Sequence, residues 1–69
     1  MNSREVIKAL QAAGWVERRS KGSHRHFKHP TRKGAVTVTH PAKDFPVGTI
    51  KSIEKQSGVK LRQRVINAD

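Results

Sequence analysis

Cysteine is missing from this sequence altogether, which excludes a disulfide framework, a thiolate metal site and a thiol nucleophile. Tyrosine is missing too, and one Trp with two Phe leaves aromatic residues at 4%. Hydrophobic residues are 33% of 69 positions, enough for one packed layer against a sheet but not for a second domain. A chain of this length buries only roughly 60% of the surface its unfolded form exposes, so the core must come from few residues. No apolar run approaches the ~18 residues that span a bilayer, and "MNSREVIKAL" lacks the basic-then-apolar layout of a signal peptide. These absences lead us to expect a cytoplasmic protein with no membrane partner.

Acidic residues are scarce as well. Five Asp and Glu face fifteen Lys and Arg, a formal net charge of +10 and a sequence pI near 11.4. Self-repulsion of that size weakens a marginal fold, so an anionic partner would both bind the chain and stabilise it. Nucleic acid is the leading candidate, since its phosphates form a dense row of charge and release counterions on binding. An anionic membrane surface is disfavoured because no segment joins a basic face to a broad Leu, Trp or Phe face. An acidic protein partner stays open.

The order of elements follows from caps, periodicity and turns. Asn2 and Glu5 form an N-x-x-E variant of the capping box, with Val6, Ile7, Leu10 and Ala13 at helical spacing and Gly14 as C-cap. "WVERRS", "HRHFKH" and "AVTVTH" read as three short strands joined by the turns "KGS" and "PTRKG". "PAKDFPVG" is a loop, and "TIKSIEKQSG" is a second helix stopped by Gly58. The expected fold is therefore α+β in the order αβββα, a three-stranded antiparallel sheet with both helices on one face, as in the double-stranded-RNA-binding domain. Its expected core is Val6, Leu10, Val36, Val38, Ile50 and Ile53. Residues 1–61 form the single domain and 62–69 are expected to be a flexible C-terminal tail.

The stretch "ERRSKGSHRHFKHPTRK" concentrates His24, His26 and His29 among lysines and arginines. Strand alternation sends His24, His26 and Lys28 one way and Arg25, Phe27 and His29 the other. If Phe27 faces the core, His24 and His26 lie on the open sheet face, unless a slip or a bulge near Gly22 reverses the pattern. H-x-H suits zinc, with His29 or His40 completing three ligands, but Arg18, Arg19, Lys21, Arg25 and Lys28 repel a dication and no carboxylate or thiolate is near. The expected cofactor and metal content is none. Two readings stay open: a polar, solvated strand that only binds nucleic acid, and a proton-transfer site, since imidazole titrates close to working pH.

"AAGW" at the end of the first helix, "KGSHRHFKHP", "VTVTHP" and "PVGTIKSIEKQSGV", in that order, resemble the HicA toxins of bacterial type II toxin-antitoxin systems over roughly residues 1 to 59. The resemblance implies a double-stranded-RNA-binding-like fold, an mRNA interferase activity and neutralisation by a HicB-like antitoxin. It carries the histidine of the family's G-S-H motif onto His24, with Gly22 and Ser23 completing the motif, and assigns nothing to His26, His29 or His40. The resulting expectation is a metal-independent endoribonuclease: His24 transfers the proton and the Gly22 and Ser23 backbone shapes the phosphate pocket. Lys21, Arg25 and Lys28, with Arg18 and Arg19, grip the mRNA backbone. The alternatives are a non-catalytic RNA-binding module and an interaction protein whose basic surface serves only an acidic partner.

Overall fold

The computed structural model of the chain describes residues 1–61, and the expected tail at 62–69 lies outside them. The first helix, α1 (Ser3–Ala12), begins at the predicted box: the Glu5 amide donates to Asn2 Oδ1 and the Asn2 amide donates to Glu5 Oε1, each at 2.9 Å. Two otherwise orphaned donors are thereby satisfied. Val6 and Leu10 are fully buried on its inner face. Ala13, one residue before the expected Gly14, is the C-cap. Gly14 then turns the chain at φ +99°, a conformation open to glycine because it has no Cβ.

Three strands follow as a meander: β1 (Val16–Lys21), β2 (His24–Lys28) and β3 (Ala35–Thr39), antiparallel in the order β1-β2-β3. Gly22 and Ser23 alone link the paired Lys21 and His24, and the positive φ falls on Gly22 only, +60°, as a type II′ turn requires. Phe27 pairs with Glu17 and Val36, and it is fully buried against the helices. That contact fixes the parity of β2: Arg25 shares the helix side, while His24, His26 and Lys28 point to the open face.

A bulge does occur, but at Arg18 in β1 rather than near Gly22 in β2. Glu17 pairs with Phe27 and Arg19 pairs with His26, leaving Arg18 unopposed. The extra residue leaves the facing of β2 unchanged and reverses the remainder of β1. Arg19 and Lys21 consequently share the face of His26 and His24; in unbroken register they would have pointed toward the helices.

The second helix, α2 (Val47–Ser57), begins two residues before the expected Thr49 and ends at Gly58, whose amide donates to the Glu54 carbonyl at 2.7 Å. Both helices pack chiefly over β3. The core is Val6, Leu10, Trp15, Phe27, Val36, Val38, Ile53 and Leu61. Ile50, expected in it, is only half-buried at its margin, and Trp15, Phe27 and Leu61 supply the central volume instead. The Leu61 amide donates to Glu54 Oε2 at 2.6 Å, which holds the last described residue against α2.

Candidate nucleic-acid interface

The open face of the sheet carries the polar residues that Phe27 and the bulge turn away from the helices. From β1 come Val16, Arg19 and Lys21, from β2 His24, His26 and Lys28, and from β3 Ala35, Thr37 and Thr39. Arg18, at the bulge, joins Arg19, His26, Lys28 and Ala35 around a shallow depression of ≈380 Å³. His24 stands on the central strand, opposite Lys21 on one side and Thr39 on the other. Side chains opposite one another in such pairs have Cβ atoms about 4.5–5.5 Å apart, well inside the ~8 Å screening length of physiological salt. The cations of this face therefore act together on whatever crosses it.

Among the described residues, carboxylates do little to neutralise them, and Asp44 is paired with the N-terminal ammonium. Glu5 is engaged in the α1 cap and Glu54 receives the Leu61 amide. Among the described residues, the ion pair between a Lys or Arg side chain and a carboxylate is that of Arg25 and Glu17, at 3.1 Å on the opposite side of the sheet. Arg25 therefore parts from Arg18, Arg19, Lys21 and Lys28, with which it was grouped as an RNA grip. Its i+2 relation to Phe27 was the sequence signal for that separation.

The four histidines occupy four different chemical situations. His26 Nδ1 is hydrogen-bonded to Thr37 Oγ1 at 2.8 Å across the sheet. His29 accepts the Thr31 amide on Nδ1 at 3.1 Å, so its proton is on Nε2, which donates to the Ala13 carbonyl at 3.0 Å. The same ring meets Trp15 edge-on, with centroids 5.2 Å apart. It closes the end of α1 by satisfying one of its last carbonyls. His40 Nδ1 is hydrogen-bonded to Ser3 Oγ at 2.7 Å, and the Ser3 hydroxyl also accepts the Ala42 amide. His24 is exposed, and among the described residues no side chain or backbone group hydrogen-bonds its ring. With His29 at the α1 terminus and His40 against Ser3, neither completes a three-ligand site with His24 and His26.

Ser23 contributes through its backbone: its carbonyl accepts the His40 amide at 2.7 Å, tying the end of β3 to the turn. A Cβ built on Gly22 would meet nothing within 4 Å, so the space over this turn is open to a ligand. Thr37 and Thr39, which the sequence reading did not single out, are brought beside His26 and His24 by the same alternation that buries Val36 and Val38. The period-2 pattern of "AVTVT" was the signal that could have identified them.

The arrangement offers a row of unneutralised cations, an open turn and one uncommitted imidazole, which suits binding a polyanionic backbone and moving a proton beside it. Residues 3–59 match a family model described as the HicA toxin of bacterial toxin-antitoxin systems. Among solved structures, a chain described as "HicA3 and HicB3 toxin-antitoxin complex" is similar at 35% identity with a TM-score of 0.76, covering 88% of this chain and 98% of that one. No curated protein matches it. No helix among the described residues is long and apolar enough to cross a membrane.

Proposed function

The chain belongs to the HicA toxin family, the toxin side of a type II toxin-antitoxin system, and on that premise we propose that it is a metal-independent endoribonuclease whose proton-transfer residue is His24. One observation carries the choice of residue. His26, His29 and His40 spend a ring nitrogen on a bond within the fold, whereas His24 is exposed with its ring free among the described residues and Lys21 directly opposite. Both nitrogens of His29 are engaged, and the Nδ1 bonds of His26 and His40 pin those rings to Thr37 and Ser3, whereas the ring of His24, unbonded among the described residues, can turn toward a substrate at the adjoining Gly22–Ser23 turn.

In the reaction this supports, a neutral imidazole takes the proton of an RNA 2′-hydroxyl. The 2′-oxygen then forms a bond to the adjacent phosphorus while the bond to the 5′-oxygen breaks. The products are a 2′,3′-cyclic phosphate end and, once the leaving oxygen is protonated, a 5′-hydroxyl end. Lys21 faces the charge that builds on the phosphoryl oxygens, and Arg18, Arg19 and Lys28 hold the flanking backbone. The Gly22–Ser23 turn leaves the phosphate room to approach its amides. The substrate is mRNA in the cytoplasm. A HicB-like antitoxin neutralises the toxin by covering the face of His24; the similar solved chain comes from a complex of toxin and antitoxin.

The test is incubation of purified wild-type and His24→Ala chains with end-labelled RNA in EDTA. Wild type is expected to leave cyclic-phosphate ends and the variant to bind RNA without cutting it. Cleavage by His24→Ala at the wild-type rate, or intact RNA after long incubation with wild type, overturns the proposal.

A further inference from the structure

The helix layer does not cover the whole inner face of the sheet. Both helices sit chiefly over β3, and along β1 only Glu17 is even half-buried. What remains is a groove of ≈410 Å³ between α1 and the inner face of β1 and β2, lined by the polar Arg4, Lys8, Gln11, Glu17, Arg25 and His40 and by one apolar residue, Ile7. Arg4, Lys8 and Gln11 recur at helical spacing on one exposed stripe of α1. Three cations here face one carboxylate, and that carboxylate is held by Arg25 at 3.1 Å, so among the described residues two positive charges stay uncompensated. Arg25 Nε is buried with no partner among the described residues, and the guanidinium acts through Nη1, which donates to Glu17.

From this geometry we infer that the groove is a second binding site for the RNA backbone, continuous with the open face, so that one strand engages both sides of the sheet. The inference rests on the reading of His24 as an RNA-cleaving residue. The two sites meet at one end of the sheet. His40, which lines the groove, donates its amide to the carbonyl of Ser23, the residue before His24. A strand leaving His24 passes over the Gly22–Ser23 turn and His40, and continues along Arg4 and Lys8. The lining favours a phosphodiester over a protein partner. Among the described residues it contains no aromatic anchor, its one apolar residue, Ile7, is partly buried, and the exposed Val16 and Val47 do not line it.

Binding of 5′-fluorescein oligouridines to the full chain, in a His24→Ala background so that RNA stays intact, tests this by anisotropy. The probes are about 4 nucleotides, enough for the open face, and about 12 nucleotides, enough for both sites. Arg4→Glu with Lys8→Glu is expected to weaken the longer probe about tenfold, while the shorter one changes less than about twofold. Lys51→Glu with Lys55→Glu on α2 makes the same change in net charge on exposed positions elsewhere and is expected to leave the difference between probes unchanged. Should the Arg4 and Lys8 reversal fail to fold, Arg4→Gln with Lys8→Gln carries the same comparison.

An unaffected longer probe overturns the groove. So do equal losses for both probe lengths, equal losses from the α2 pair, or loss of binding to the antitoxin alone. If the His24→Ala parent binds neither probe, the groove and the RNA-cleaving reading fall together. If the parent binds but the longer probe ignores Arg4 and Lys8, the groove alone falls.

Discussion

Replacing Gly14 by Ala should destabilise the protein through His29, a residue with no part in the proposed chemistry. Gly14 has φ +99°, and an added Cβ would lie 2.9 Å from His29 Nε2. The left-handed region costs a residue with a Cβ about 1–2 kcal/mol. Displacing the imidazole also gives up its hydrogen bond to the Ala13 carbonyl, worth about 0.5–1.5 kcal/mol. Its edge-on contact with Trp15 contributes a similar amount, about 0.5–1.5 kcal/mol. Together these put the loss at about 2–5 kcal/mol, a large share of the ~3–10 kcal/mol expected for a domain of this size. Urea unfolding followed by the fluorescence of Trp15, the sole tryptophan, measures it. The double variant Gly14→Ala, His29→Ala isolates the clash, because it keeps the backbone strain and removes the ring. The combined loss should fall short of the two single losses added together by at least about 1 kcal/mol. A Gly14→Ala loss below about 1 kcal/mol, or additive losses in the double variant, would refute the coupling.

His26→Ala removes an exposed hydrogen bond to Thr37 and should cost roughly 0.5–1 kcal/mol in the same unfolding assay. RNA cleavage at the wild-type rate is expected with it, and collapse of cleavage would move proton transfer away from His24 alone. Lys21→Ala should weaken RNA binding and lower the slope of log affinity against log salt by about 0.7, the value for one single-strand phosphate contact. An unchanged slope in a salt titration would remove Lys21 from the grip.

Much of the fold was legible because local chemistry and tertiary packing agree. The Asn2–Glu5 box, the "KGS" turn and the Gly58 stop each satisfy backbone groups within a few residues, and the alternation of Val36 and Val38 marks the one face of β3 that is buried. The facing of β2 could be read from one large apolar residue, Phe27, because reversing the strand would expose it and bury His26. The bulge at Arg18 could not be read in "VERRSK", a strand without a buried hydrophobic residue to set its register. The start of α2 was also out of reach, since Pro46 caps it with no side-chain hydrogen bond.

By itself, the sequence determined the αβββα order, the excess of positive charge and, through the G-S-H resemblance, the histidine to examine. Tertiary structure decided which groups share a surface. The Arg18 bulge turned Arg19 and Lys21 toward His24, and the sheet placed Arg25 behind them against Glu17. Long-range contacts gave His29 to the end of α1 and His40 to Ser3, partners 16 and 37 residues away in the chain. Strand alternation is a local property, but register and hydrogen-bond partners are set between segments that meet only when the chain has folded.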